Sequence, residues 1–288
     1  MGVDKDMRNY LNQHELGLAG LALLRNRLVG HEKVTKSVLH EIRNLSRSFA
    51  NNSLSKTKVK KYSLSSGYTA WAETYDTTAN LLIEVEEPVV KALLQKLTKG
   101  SVLDVACGTG RYSEFLYSLG YKVTGLDQSS AMLRQAKIRS PHIKFIEGNL
   151  TKLPFDDSCF DLAICALALT HVPDISPSVK EMSRVVRPGG NIVISDVHPW
   201  LIVLGAQAEF QDKTGRRGYI TNYVHWHSTY FQIYKRLGLK VLQCSEPVIE
   251  KKHMRLTQKG FSLTTKTIAT ALLGLPVALI WVLEKPSV

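Results

Sequence analysis

Val102-Leu103-Asp104-Val105-Ala106-Cys107-Gly108-Thr109-Gly110-Arg111 is the stretch that decides the fold. An apolar, partly β-branched run predicts a strand over 101–106, the glycines predict a turn, and Arg111–Leu119 then shows helical spacing through Tyr112, Phe115, Leu116 and Leu119. Glycine lets such a turn adopt positive φ and approach a ligand closely, and the helix start offers free N–H groups. Outward from it the theme repeats. Strands are expected at Tyr121–Leu126, Ile143–Glu147, Phe160–Leu167, Asn191–Asp196 and Leu239–Cys244. Helices are expected at Ala131–Ile138, Ile175–Val186 and Tyr230–Leu237. Alternation of this kind is the pattern of an α/β fold, a parallel sheet with helices on both faces.

Asp127 closes the second strand, where a carboxylate can accept both hydroxyls of a ribose. The dinucleotide pattern GxGxxG needs three glycines, and Gly108 and Gly110 are followed instead by Arg111 and Tyr112. Five further motifs come in order: Ser129-Ser130-Ala131-Met132-Leu133; Gly148-Asn149-Leu150 with Leu153-Pro154-Phe155; Phe160-Asp161-Leu162-Ala163; Leu169-Thr170-His171-Val172; and Val186-Arg187-Pro188-Gly189-Gly190. Together with the D-x-x-x-G-x-G turn they resemble the class I S-adenosylmethionine (AdoMet)-dependent methyltransferases, in their ubiquinone/menaquinone-type branch. The resemblance covers roughly Tyr68 to Leu283 and implies a Rossmann-like, seven-stranded, mostly parallel sheet.

The resemblance also implies roles. Gly108 and Gly110 pass under the methionine part of AdoMet, Ala106 stands where the family often has glycine, and Asp104 fixes the turn and the amino group. Asp127 and the adjoining Gln128 hold the ribose. Met132 packs on the adenine, Asn149 accepts from its amine in place of the usual Asp, and the Leu150 backbone reads the ring edge. Ala166 ends the strand beside the methionine. Tyr75, in Tyr68-Thr69-Ala70-Trp71-Ala72-Glu73-Thr74-Tyr75-Asp76, lies over the sulfonium side as part of a lid. Met132 and Tyr75 serve equally well as packing residues. Arg111 is a cation at the wrong end of a helix, so it needs an acidic partner, either the AdoMet carboxylate or a protein acid.

Methyl transfer requires alignment and removal of a proton from the acceptor. Histidine suits that base at neutral pH. His198 follows one strand, His171 another, and His225-Trp226-His227 precedes a helix; His198 is the first choice, with His227 and His171 behind it. Each of these can also be a histidine that only hydrogen-bonds its loop. His198, His225 and His227 are conceivable metal ligands, but no carboxylate spacing supports them and no metal is expected.

The 288 residues carry 37 Lys+Arg against 25 Asp+Glu, net +12, with 44% hydrophobic residues and four cysteines. This excludes disorder and a disulfide scaffold, and no CxxC pair suggests a zinc or redox site. The opening MGVDKDMRNYLNQHE is not a secretory signal, and Asp6 breaks the myristoylation pattern after Gly2. Residues 268–283, IATALLGLPVALIWVL, fall short of the roughly 20 apolar residues a bilayer requires and contain Gly274 and Pro276. They are expected to form a helix end, a turn and a buried strand. Residues 1–61 read as an N-terminal extension of two helices and a basic linker over 51–61, and 62–288 as the methyltransferase domain. Within the latter, 197–225 is an aromatic insertion on the acceptor side. The first helix, Glu15 to Val29, is apolar almost all round and must bury itself against the main domain or a second subunit, which suggests a homo-oligomer.

The expectation is a cytoplasmic AdoMet-dependent methyltransferase acting on a small organic molecule in specialised metabolism, away from membranes. An RNA (tRNA) methyltransferase, motivated by the basic charge, and a non-catalytic AdoMet-binding regulator are the alternatives.

Overall fold

A computed structural model describes residues 5–50, 59–77, 79–257 and 262–287. The chain divides into two compact units, one of residues 1–59 with 248–275 and the other of 60–247 with 276–288. The segment 248–275, expected within the methyltransferase domain, groups with the N-terminal helices instead.

The first unit opens with α1 (Lys5–Asn26) and α2 (Glu32–Ala50). In the second unit, β1 (Lys60–Tyr62), α3 (Leu64–Trp71) and α4 (Leu81–Leu94) precede the sheet. Then come β2 (Ser101–Val105), α5 (Arg111–Ser118), β3 (Lys122–Asp127), α6 (Ser130–Arg139), β4 (Lys144–Glu147), β5 (Phe160–Ala166), α7 (Ser176–Val185) and β6 (Val186–Val197). After α8 (Pro199–Val203) and the strands β7 (Ala208–Gln211) and β8 (Arg217–Ile220), the unit ends with α9 (His227–Arg236), β9 (Lys240–Ser245) and β10 (Ala278–Glu284).

Seven strands pair in the order β4-β3-β2-β5-β6-β10-β9. The pairs from β4 through to β6 are parallel, and β10 is antiparallel to both its neighbours. The strands are apolar on both faces because helices cover both. Leu103, Ala163, Ile194 and Leu279 pack into one core with α7 and α9. Their chain neighbours Val102, Ile164, Val193 and Ala278 pack into the other, with α4 and α5. The order reverses between β2 and β5, which opens a crevice beyond their C-terminal ends, where open α/β sheets hold ligands.

Two findings extend the expected picture. The insertion 197–225 contains β7 and β8, an antiparallel pair whose turn is held by Asp212, which accepts from Thr214 N and Arg216 N. Lys60 and Lys61, read as linker, form β1 and pair with β8. The rest of that linker, 51–58, lies outside the described residues.

The first unit is completed by α10 (Met254–Thr257) and α11 (Thr265–Leu272). Apolar α1 buries Leu18, Ala19 and Ala22 here, packing on α2 and α11. Arg25 donates to Ala271 O and Leu273 O at the C-terminus of α11, where a cation is favoured. At the other end, Glu41 accepts from Thr264 N and Thr267 Oγ1. After α11 the chain turns at Gly274 (φ +76°), and β10 is a buried strand, as the 268–283 stretch suggested. Among the described residues no helix is long and apolar enough to cross a membrane.

Candidate active site

A cavity with about 620 Å³ of empty space, part of it open to solvent, lies at the C-terminal ends of the central strands, where open α/β sheets hold small ligands. Ala106 and Gly108 enter it after β2, Asp127 at the end of β3 with Gln128 after it, Leu150 after β4, and Ala166 at the end of β5 with His171 after it. Tyr75 comes in from the segment following α3. These eight expected residues meet at one place although 96 positions separate the first from the last in sequence (75 to 171).

Asp127 organises the floor. Its Oδ2 accepts Gly108 N–H at 2.8 Å and its Oδ1 accepts Ser129 N–H at 2.7 Å, so one carboxylate ties the turn after β2 to the turn after β3. Burial pushes its pKa up while the Ser129 and Gly108 N–H groups pull against that. Gly108 has φ +55°, and no protein atom lies within 4 Å of where a Cβ would stand. Ala106 takes φ +56° with a side chain present, a conformation that costs an L-residue about 1–2 kcal/mol.

Other expected residues stand one layer back. Asp104 is buried under the turn and accepts from Ser113 Oγ at 2.6 Å, so it braces β2 against α5. Gly110 caps the start of α5 at φ +80°. Met132 is buried against Ala72, Tyr68 and Tyr75, behind the wall. Asn149 spends its side-chain oxygen on Thr151 N and Thr151 Oγ1, both at 2.9 Å, in a local turn outside the cavity lining. The segment carrying Tyr75 is fastened by Asp76, which pairs with Arg139 at 2.8 Å and accepts from Thr109 Oγ1.

The three histidines separate. His171 lines the cavity, with Nε2 2.8 Å from the Tyr68 hydroxyl and Nδ1 3.3 Å from Thr221 O. A carbonyl oxygen only accepts, so Nδ1 carries the proton and Nε2 is left to accept from Tyr68. Burial lowers the pKa of His171 and raises that of Tyr68. His198 and His227 lie outside the lining and share one acceptor, Glu246 Oε1, at 3.0 and 2.9 Å. Their ligand-capable atoms lie within 4.8 Å of one another. His198 Nδ1, however, accepts from Trp200 N–H at 3.3 Å, which puts the ring proton on Nε2, facing Glu246. A metal ligand needs that lone pair free, so this donor set does not fit a metal ion. His225 donates from Nε2 to Val172 O at 2.8 Å, apart from the other two.

Tyr68 is the functional candidate that sequence reasoning passed over. In the sequence it stands at i with Trp71 at i+3 and Tyr75 at i+7, and that aromatic spacing was the available signal; in the structure only Tyr68 and Trp71 lie on α3. In the structure Tyr68 stacks on Trp71 with ring centroids 5.8 Å apart, and Trp71 stacks on Phe210 of the insertion at 5.5 Å.

Residues 103–194 match the profile of the family described as "Methyltransferase domain". They are a class I methyltransferase domain. The match spans β2 to β6 and so includes every floor residue of the cavity. Demethylmenaquinone methyltransferase of Renibacterium salmoninarum is 43% identical over 99 residues, 34% of this chain and 42% of that one. Malonyl-[acyl-carrier protein] O-methyltransferase of Yersinia pestis is 34% identical over 137 residues, 48% of this chain and 51% of that one. The chain thus spans about half the length of the curated relatives it matches. Among solved structures, an S-adenosylmethionine-dependent methyltransferase from Mesorhizobium loti superposes with TM-score 0.55 at 22% identity, covering 71% of this chain and 100% of that one. That likeness extends the shared fold beyond the methyltransferase domain profile.

Proposed function

We propose that the chain is an AdoMet-dependent methyltransferase acting on a small organic acceptor, in specialised metabolism and in the cytoplasm. One observation carries the reading: the Asp127 carboxylate, fixed by Gly108 and Ser129 N–H groups, faces a cavity at the switch point of the sheet. The residues fit the cofactor. Each Asp127 oxygen takes one backbone donor and keeps acceptor capacity for a ribose hydroxyl. Gly108 leaves open space where any side chain would intrude. Bound AdoMet supplies a methyl group already activated on a sulfonium.

The chain's own residues then bind and orient. Asp127 and Gln128 hold the ribose, Ala106, Gly108 and Ala166 flank the methionine part, Leu150 covers the adenine edge, and Tyr75 closes the lid. Asp104, Gly110, Met132 and Asn149 act from behind, by shaping the turns and the wall. Of the three candidate bases, we assign the role to His171, because it alone lines the cavity. Four free cysteines support a reducing compartment. The acceptors named for the two relatives are demethylmenaquinone and malonyl-[acyl-carrier protein], which support an organic acceptor without choosing its chemistry. Among the described residues no lysine or arginine lines the cavity, which speaks against a phosphodiester acceptor such as RNA.

Calorimetry with S-adenosylhomocysteine tests this reading. Saturable binding is expected, and loss of it in Asp127→Ala. Unchanged affinity in that variant would remove the site assignment. Cofactor binding without methylation of any component of a broad metabolite extract would favour the regulator.

A further inference from the structure

We propose that Tyr68 and His171 form a proton relay, and that the acceptor is a neutral molecule with an acidic O–H or N–H, such as a phenol, enol or azole, and not a carboxylate. The inference rests on the methyltransferase reading above and deepens it.

The relay follows from where the hydrogens must be. Thr221 O fixes the His171 proton on Nδ1, so Nε2 presents its lone pair to the Tyr68 hydroxyl at 2.8 Å. That lone pair is occupied, and an acceptor molecule reaches the imidazole only through the Tyr68 oxygen. Among the described residues His171 is the one hydrogen-bond partner of that oxygen, which leaves its own lone pairs free. Both side chains line the same cavity as Asp127. The rings are locked: Tyr68 meets His171 edge-on at 5.5 Å and stacks on Trp71. Burial keeps His171 neutral at physiological pH and Tyr68 protonated, the two states the relay requires at its start.

The step balances. The acceptor X–H bond breaks, its proton passes to the Tyr68 oxygen, and the Tyr68 proton passes to His171 Nε2. The electron pair left on X forms the new bond to the methyl carbon, and the pair of the broken carbon–sulfur bond stays on sulfur. One positive charge thereby moves from sulfur to the imidazole ring. A carboxylate acceptor arrives already deprotonated and would leave the relay idle. Such an anion would also enter a cavity whose lining, among the described residues, offers Asp127 and no lysine or arginine. Unpaired charge in a partly dry site is strongly disfavoured.

The test combines three readouts on the full chain. Histidine ¹³Cε1 NMR follows the His171 titration without any cofactor. The midpoint is expected to lie below the free-histidine value of about 6.5 and to rise in Tyr68→Phe, because the lost O–H donor had favoured the neutral ring. A midpoint that does not move overturns the pair. Incubation of a cell extract with methyl-labelled AdoMet gives the second readout. Label is expected to survive mild alkali, as methyl ethers and N-methyl groups do; label released as methanol from esters overturns the acceptor class. The third is rate against binding. Tyr68→Phe is expected to lose about 10²–10⁴-fold in turnover, the usual scale of general acid–base catalysis, with S-adenosylhomocysteine affinity unchanged. Wild-type turnover in that variant overturns the relay and leaves the cofactor site intact. Failure of the wild-type chain to bind S-adenosylhomocysteine would instead bring down the underlying methyltransferase reading.

Discussion

The Arg111 guanidinium, at the first residue of α5, lies 3.4 Å from the Glu86 carboxylate and 3.7 Å from that of Glu87, both on α4. This accounts for a cation at the unfavourable end of a helix dipole. Glu86 is fully buried and also accepts from Tyr112 at 2.7 Å and from Ser195 at 2.5 Å, so it joins α4, α5 and β6 below the turn. Arg111→Met should therefore act on stability. Removing one partner of a buried pair typically costs about 3–5 kcal/mol, and Glu86 keeps two other donors, so the lower end is expected. Urea unfolding measures the loss. If S-adenosylhomocysteine affinity collapsed while stability held, Arg111 would belong to the ligand and not to Glu86.

Asp104 gives the fold a pH signature. Burial raises its pKa from 3.8 to about 7, against the opposing pull of Ser113. The folded chain thus retains a proton that the unfolded chain gives up near pH 4. The associated stability is complete below that pH, declines as pH rises through about 7, and is then level. Asp196, also raised to about 7 by burial, adds a slope of the same sign. Asp104→Asn should flatten the decline of melting temperature over this window without abolishing it. A variant as steep as wild type would contradict the assignment.

The pH dependence of turnover should run the other way on the acid side. Burial lowers the His171 pKa, so its neutral form persists below the ordinary histidine range. Turnover should be on its plateau at neutral pH and fall only as acid protonates the ring, with a midpoint under about 6.5. A profile whose acid limb lies above that value would point to a different base.

His198, Glu246 and His227 should behave as a hydrogen-bonded cluster. The Glu246 carboxylate is held below its usual range, first by the His198 hydrogen bond. Dialysis against EDTA should leave the melting temperature unchanged, and added zinc should not raise it. A rise that disappears in His227→Gln would show that the cluster accepts a metal after all.

Much of this molecule could be read from the chain because its central strands obey a local rule. Runs such as Val102–Val105 are buried on both faces, so apolar character is continuous and glycine marks the ends. The floor of the cavity was legible for a related reason: Gly108 and Asp127 sit at strand ends, and strand ends are predictable. What escaped depends on contacts between distant segments. Nothing in the sequence joins Tyr68 to His171, 103 positions apart. Which of His171, His198 and His227 lines the cavity depends on which loop faces inward, a property of packing. Asn149 looked available until its oxygen was found engaged by Thr151. The grouping of 248–275 with the first unit also lacked a local signal, because Arg25 and Glu41 recognise the ends of α11 through bonds that span more than 220 residues.

The position of β10 imposes an order on biosynthesis. It lies between β6 and β9, yet it is the last of the seven strands to leave the ribosome. Until residues 278–284 emerge, β6 presents an open edge and β9 has no neighbour to pair with. A nascent chain must wait through the whole 248–275 excursion with that edge unprotected, which makes trigger-type chaperones, and the speed of translation across this excursion, natural determinants of yield.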